Sequence, residues 1–282
     1  MNAAKKREKI AFYILGFATL LVVIPIILTI FYIVKSGIGA VSWAFISQAP
    51  RNGMKEGGIF PAIVGTIVLI IGTMIFSLPL GILSAIYLVE YAKDNTFTRL
   101  IKLSVVNLSG IPSIVYGLFG FTLFVVFLGF GTSILSGSLT LAIMSLPVII
   151  TASKEALESV PASFREISLS LGATKWQTIR HCVIPYAIPG ILTGTVLSLS
   201  RAAGETAPIL FTVAAFYLPR LPRSVFDQVM ALPYHLYVIS TQVPNIPMQV
   251  SFATGFVLIA LVFMMNLVSI ILRARFRRKK QW

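Results

Sequence analysis

The chain has 282 residues, of which 57% are hydrophobic and 11% charged, and its mean hydropathy is +0.91. A water-soluble domain cannot cover its surface with so few charged side chains, so the composition predicts an integral membrane protein. The net charge of +14 would suit nucleic acid, but the Lys and Arg residues cluster at the ends of apolar runs, where anionic lipid headgroups lie. We therefore expect membrane lipid, and no nucleic acid, around this chain.

The first apolar run follows the basic start MNAAKKREKI. It is longer than the core of a signal peptide and has no small-residue cleavage site, so it predicts a retained first span. Since a spanning helix needs about 20 apolar residues, the hydropathy pattern predicts an all-α polytopic protein with six spans. The spans are residues 10–34, 61–89, 103–130, 138–153, 186–217 and 250–272.

The predicted spans divide the chain into three parts. Residues 1–60 hold the N-terminal tail, the first span and an external loop, residues 61–272 form a core of five spans, and residues 273–282 are a basic tail. Of the 23 Lys and Arg residues, 17 fall on the side of the N-terminus, five on the opposite side, and Arg201 within a span. This bias predicts that both termini are cytoplasmic.

The predicted cytoplasmic segment of residues 154–185 carries signals for a short amphipathic helix. Ser163 and Glu166 have the spacing of a capping box, and Gly172 is well placed to end the helix in a left-handed conformation. The apolar side chains that share one face of this helix are Phe164, Ile167 and Leu171.

A second helix is predicted directly after the first. Thr174 and Gln177 have capping-box spacing, and the helix runs from there toward Pro185 and the fifth span. Together the signals predict a short helix lying across the membrane surface with a bend on each side. One interpretation of such a segment is an amphipathic connector that rests on lipid headgroups.

The same stretch resembles the EAA loop of ABC importer permeases. Glu166 and Gly172 have the spacing of that pattern and Pro185 closes it, while Ile167 and Ser168 stand where the pattern has two alanines. Two further stretches, GIPSIVYGLFG at residues 110–120 and LSLSRAAGETAPIL at residues 197–210, are similar to the phosphate-importer branch of the family, the PstA type. The resemblance covers roughly residues 60–272.

The resemblance implies a type I importer permease fold in a prokaryotic cytoplasmic membrane. It implies that the short helix docks in a groove of a cytoplasmic ATPase, with an apolar face as the anchor. The implied coupling residues are Phe164, Glu166, Ile167, Leu171 and Gly172. The implied partners are a second permease that forms a heterodimer with this chain, a pair of ATPase subunits, and an extracytoplasmic phosphate-binding protein.

The chain has no G-x-x-x-x-G-K-[ST] phosphate loop, so we do not expect it to hydrolyse ATP or to be an enzyme. ATP and Mg are expected at the partner ATPase, and no cofactor is expected in this chain. His181 and His235 are isolated from other metal ligands in the sequence, so we predict no metal site.

Two charged residues lie near the middle of the predicted fifth span. Arg201 and Glu205 are four residues apart and therefore share one helical face. A charge at the centre of a bilayer costs about 2.5 to 3.5 kcal/mol on insertion scales, so such residues usually have a function. Pro208 cannot donate to the carbonyl of Gly204, which predicts an interrupted helix beside the pair. An interrupted helix next to ionisable groups is typical of a transport site, although a purely structural ion pair remains the alternative.

The pair has chemistry suited to phosphate. The planar fork of Arg201 matches phosphate oxygens, and Glu205 can accept a hydrogen bond from the proton that phosphate keeps near neutral pH. Sulfate has no such proton. Because the two charges cancel, we expect further cationic groups from the partner permease.

Two polar side chains of the predicted third span, Ser113 and Tyr116, are further candidates for the substrate path, although hydroxyls in membrane helices commonly bond to their own or a neighbouring helix. Gly190 and Gly194 form a GxxxG pattern that predicts close helix packing. The alternative functions are a permease for another oxyanion such as sulfate or molybdate, or an ion-coupled secondary transporter in which Glu205 carries protons.

Overall fold

The computed structural model describes residues 2–278, apart from the side chains of residues 2–4, 6, 269, 272 and 276–278. Twelve α-helices and one small hairpin make up the described chain. The helices are α1 Asn2–Gly37, α2 Trp43–Ser47, α3 Phe60–Ile86, α4 Thr96–Leu108, α5 Ser113–Gly120, α6 Ile134–Glu158, α7 Ala162–Ser170, α8 Lys175–Thr178, α9 Ile184–Gly204, α10 Ala207–Thr212, α11 Leu232–Thr241 and α12 Met248–Arg278. Strands β1 Pro50–Arg51 and β2 Glu56–Gly57 pair antiparallel, with Pro50 opposite Gly57.

Several α-helices continue without interruption through π-helical turns. The turns are Tyr87–Tyr91 after α3, Phe121–Phe127 after α5, and Ile179–Val183 between α8 and α9. Within the described range, five helical stretches are long and apolar enough to cross a membrane, and a bent pair of helices makes a sixth. The prediction of an all-α protein with about six spans is confirmed.

The predicted third span is not one straight helix. α4 ends at Leu108 and α5 begins at Ser113, and the helix axis bends by 106° between them. Proline is the reason, because Pro112 cannot donate a backbone hydrogen bond and disfavours helical geometry in the residue before it. Pro112 itself has an extended ψ of 139°.

The fifth predicted span begins earlier than the sequence suggested. The helix is continuous from Lys175 to Gly204, so the second cytoplasmic helix and the fifth span form one helical stretch. Pro185 lies at the start of α9, directly after the π-helical turn Ile179–Val183. Such local changes of hydrogen-bond register accommodate the missing N–H of a proline in a membrane helix.

Helices α3, α6 and α9 form the centre of the molecule. Gly190 and Gly194 lie directly against α6, where an added side chain would collide with the β-carbons of Ala156 and Ala152. The packing predicted for this GxxxG pattern is confirmed.

Two apolar clusters stabilise opposite ends of this central layer. Near α7, the cluster includes Ile86, Leu157, Ile179 and Val183. At the other end, α11 lies buried in a larger cluster with the connection after α10. Residues 218–249 lie between the predicted fifth and sixth spans, and the structure places the largely buried helix α11 among them.

Candidate functional site

The helix that carries Arg201 and Glu205 is interrupted beside the pair. α9 ends at Gly204, Glu205 is extended with φ −73° and ψ 131°, and α10 begins at Ala207 with Pro208 in its first turn. Proline is tolerated at the start of a helix but not in its interior. The interruption predicted from Pro208 is therefore confirmed, and Glu205 lies in the gap itself.

Arg201 and Glu205 form a weak and open ion pair. Arg201 Nε donates to Glu205 Oε1 over 3.2 Å, and the exposed fractions of the two side chains are 44% and 15%. Within the described part of the chain, this is the hydrogen bond that the Arg201 guanidinium makes. Since a guanidinium has five N–H donors, the four donors on its terminal nitrogens remain available to a ligand.

The Glu205 side chain is more deeply buried than the Arg201 side chain. The Glu205 side chain borders a small cavity of about 10 Å³ between α3, α9 and α11, together with Thr66 and Ala231. A cavity of this size has room for about one water molecule. The carboxylate therefore faces the interior of the subunit, and the guanidinium faces outward.

Ser113 and Tyr116 lie on α5, which packs against α10. A side chain on Gly117 would contact the Ala207 carbonyl and the Pro208 α-carbon at 3.0 Å, so this packing joins the two stretches 110–120 and 197–210. The Tyr116 hydroxyl donates to the Leu108 carbonyl over 2.7 Å. That bond closes the corner between α4 and α5, while Ser113 is half-buried at the start of α5.

The predicted docking helix is α7. It begins at Ala162, with Pro161 before it and no side-chain cap, so the predicted Ser163–Glu166 capping box is wrong. Pro161 explains the difference, because its fixed φ starts the helix one residue ahead of Ser163. At the other end Gly172 has φ 84°, which confirms the left-handed corner.

The second helix begins as predicted. Thr174 Oγ1 accepts from the Gln177 N–H over 3.3 Å, and the Gln177 side chain accepts from the Thr174 N–H over 2.8 Å. This capping box holds the corner after Gly172 in place.

The three predicted anchor residues of the docking segment differ in burial. Phe164 is half-buried and packs against Tyr186 with ring centroids 5.0 Å apart, so it attaches α7 to the rest of the chain. Ile167 and Leu171 are exposed, as is Glu166. An open groove of about 360 Å³ runs beside them and is lined by Phe164, Ile167, Ser168, Leu171, Ala173 and Cys182.

Sequence reasoning missed one ion pair of this region. Arg165 Nη2 and Nε donate to Glu90 Oε1 over 2.7 and 3.0 Å, although the two residues are 75 positions apart. Arg165 also donates to the carbonyls of Leu157 and Val160 over 2.9 and 2.8 Å. One sequence signal could have pointed to this pair. Glu90 lies directly after the predicted second span, and it is one of only nine acidic residues in the chain.

Neither histidine belongs to a metal cluster of the described residues. His181 is exposed, and its Nδ1 lies 3.1 Å from the Gln177 carbonyl. His235 is buried on α11, and burial lowers its pKa to about 4.

Comparison with known proteins identifies the class to which this fold and site belong. Residues 77–281 match the family of binding-protein-dependent transport system inner membrane components, and the chain belongs to that family. It is a multi-pass inner-membrane permease of an ABC importer, and ATP hydrolysis takes place in a separate ATPase subunit. The family also implies a substrate-binding protein.

Among its relatives are phosphate permeases. The chain is 38% identical to the phosphate transport system permease protein PstA of Mycobacterium leprae, over 77% of this chain and 72% of that protein. It is 34% identical to PstA 1 of Mycobacterium tuberculosis strain H37Rv, over 92% and 84%. It is also 32% identical to the probable ABC transporter permease protein YqgI of Bacillus subtilis, over 84% and 85%.

Solved importer structures share the fold. A bacterial ABC transporter that imports alginate matches with a TM-score of 0.64 at 15% identity, over 90% of this chain and 95% of that one. The MetNI methionine ABC transporter matches with a TM-score of 0.58 at 18% identity, over 78% and 94%.

Proposed function

We propose that this chain imports inorganic phosphate as one permease of a heterodimer. In this proposal both termini and α7 face the cytoplasm, where α7 docks on one of two ATPase subunits that bind ATP and Mg. A phosphate-binding protein delivers the anion from the outside. The PstA relatives support phosphate as the cargo, and the open Arg201–Glu205 pair is the structural observation that carries the proposal.

The free donors of Arg201 suit a tetrahedral oxyanion. A guanidinium offers parallel N–H groups that bind two oxygens of one phosphate, and Arg201 has its terminal nitrogens unused. The helix has already ended at Gly204. An anion that binds at this interruption therefore does not have to break any backbone hydrogen bond of α9. Arg201 therefore binds the anion without a conformational cost in the helix.

Glu205 supplies the selectivity. A carboxylate accepts a hydrogen bond from the proton of hydrogen phosphate, whereas sulfate has no proton at neutral pH and is repelled by the negative charge. A site that requires a hydrogen-bond donor on its ligand discriminates strongly against an analogue without one.

A second permease completes the site. Arg201 lies on a face of α9 that the described residues leave uncovered, together with Leu197 and Gly204. Arg201 and Glu205 have no net charge between them, so a phosphate dianion needs additional positive groups. The uncovered face of α9 is where the partner permease would contribute them.

Uptake of labelled phosphate and sulfate by the reconstituted complex tests this function. We expect phosphate import that requires ATP inside the vesicles and is inhibited by vanadate. Preferential import of sulfate or molybdate would show that phosphate is not the substrate, but the protein would still be an ABC importer permease. Uptake abolished by an uncoupler alone would instead indicate a secondary transporter with Glu205 as the proton carrier.

A further inference from the structure

We propose that Arg165 and Glu90 are a pair of positioning residues that transmits the movement of α7 to α3. We call this pair the α7–α3 latch. The inference rests on the proposed function, since it assumes that α7 docks on an ATPase, and it adds the route by which docking reaches a membrane span.

The latch uses nearly all the binding capacity of Arg165. Its Nε and Nη2 donate to Glu90 Oε1, its Nη1 donates to the Val160 carbonyl, and its Nη2 donates also to the Leu157 carbonyl. Leu157 belongs to the last turn of α6, and its carbonyl also accepts from the Val160 N–H over 3.3 Å. One side chain of α7 is thus bonded to the end of α6 and to the end of α3.

Burial makes the latch stiff. The exposed fractions are 21% for Arg165 and 8% for Glu90, so solvent and salt screen the pair far less than an exposed surface pair. Charge-assisted bonds to a guanidinium are short and direction-dependent. A displacement of α7 therefore displaces Glu90 as well.

In this proposal the two faces of α7 have different roles. The exposed face carries Glu166, Ile167 and Leu171, which are free to dock, while Arg165 and Phe164 point toward the other helices. Phe164 contacts Tyr186, in the first turn of α9, so Arg165 is the polar link to α3. Glu90 lies in the π-helical turn Tyr87–Tyr91, a local geometry that is frequent at functional sites.

The decisive measurement is the number of substrate molecules transported per ATP hydrolysed by the assembled complex. Arg165→Gln and Glu90→Gln each remove the ion pair, and Arg165→Lys keeps the charge but cannot hold a carboxylate and two carbonyls at once. We expect this ratio to fall about 10-fold in Arg165→Gln, within the range found for mutations that alter coupling between sites. Lys154→Gln is the matched control, because it breaks the more exposed Lys154–Glu158 pair of 3.6 Å in the same region.

A distance measurement separates transmission from simple folding. Spin labels on Ser170→Cys and Leu83→Cys, both exposed positions, report the separation of α7 and α3 once Cys182 is replaced by Ser. With the latch intact, ATP and vanadate should leave this separation unchanged, since both elements move together. In Arg165→Gln the separation should change when nucleotide binds.

Two results would overturn the latch. One is an unchanged transport-to-hydrolysis ratio in assembled Arg165→Gln complexes. The other is the failure of all three variants to assemble, because the pair would then be an element of folding alone. The proposed cargo is tested separately: phosphate-loaded and sulfate-loaded binding proteins are compared on the parent complex, and the variants are compared with the parent under whichever stimulates it. The spin-label distances need nucleotide only and do not depend on the cargo.

Discussion

Two Arg–Glu pairs in this chain share their chemistry and differ in their surroundings. Arg165 is bonded to Glu90 and to two carbonyls, whereas Arg201 makes one bond of 3.2 Å to Glu205. The Arg165 side chain is mostly covered, and that of Arg201 is largely open. An arginine is available to an anion only when its own chain leaves N–H donors unused, so the first pair holds elements together and the second can bind a ligand.

The largest expected effect concerns which side of the membrane each region faces. The proposal places the docking segment in the cytoplasm and the connection between α10 and α11 outside. In sealed cells an impermeant maleimide should label Ser224→Cys completely and Ser163→Cys not at all, in a chain with Cys182 replaced by Ser. Both positions are exposed, so the difference reports sidedness. The reverse labelling pattern would contradict both the proposed orientation and the proposed docking of α7 on the ATPase.

Replacing both charges of the open pair is expected to abolish transport. Arg201→Met with Glu205→Gln removes the anion-binding donors while leaving side chains of similar size, so the complex should assemble because a buried or half-buried pair is replaceable by neutral groups. Phosphate uptake should fall about 100-fold or more, the loss for a residue pair worth about 3 kcal/mol. Uptake at the parent rate by well-assembled double-mutant complexes would show that Arg201 and Glu205 form a structural pair only.

A change at the docking corner should have an intermediate effect. A β-branched residue at φ 84° costs about 1 to 2 kcal/mol, and nothing lies within 4 Å of an added Gly172 β-carbon, so Gly172→Val acts through the backbone alone. Substrate-stimulated ATP hydrolysis should fall about 10-fold while insertion stays normal.

Two variants control for this interpretation. Gly16→Val also enters open space but without a positive φ, and it should have no effect. Gly172→Asn should keep most of the coupling, because asparagine adopts left-handed conformations more readily than other residues. Full coupling in Gly172→Val would show that the corner does not position α7.

Glu205→Gln alone should change selectivity more than rate. An amide donates to an oxyanion that the carboxylate repels, so the preference for phosphate over sulfate should drop about 10-fold, the equivalent of one charged hydrogen bond. Competition between the labelled anions in vesicles measures this. An unchanged preference would assign selectivity to the partner permease or to the binding protein.

The smallest expected effect comes from a buried histidine whose Nδ1 has no hydrogen-bond partner among the described residues. His235 has a pKa of about 4 because burial disfavours its charged form, against about 6.5 in an unfolded chain. The unfolded chain therefore binds the proton more readily, so stability is complete above pH 6.5 and declines as the pH falls toward 4. At pH 5.5 the loss is about 1.4 kcal/mol.

Thermal unfolding in detergent between pH 7.5 and 5.5 measures this loss. His235→Leu should flatten the pH dependence, and His181→Leu, at an exposed position, should leave it in place. Glu90 differs from His235 because it is buried with a charged partner. A flat profile in the parent chain would show that water reaches His235.

Short-range chemistry determined much of this protein from the sequence alone. The apolar runs predicted the spans because about 20 apolar residues are needed to cross the bilayer. Gly172, the Thr174–Gln177 capping box and the break before Pro208 were all predictable, since each depends on the conformational limits of neighbouring residues.

Tertiary structure alone decided which side chains meet. Phe164 turns inward to Tyr186 although it shares a helical pattern with Ile167 and Leu171, and the Tyr116 hydroxyl is used by the Leu108 carbonyl. Arg165 finds Glu90 across 75 positions, because the ends of α3 and α6 both lie within reach of α7. Nothing in local sequence encodes that coincidence of helix ends, and it is what separates an arginine that holds the fold from one left open for an anion.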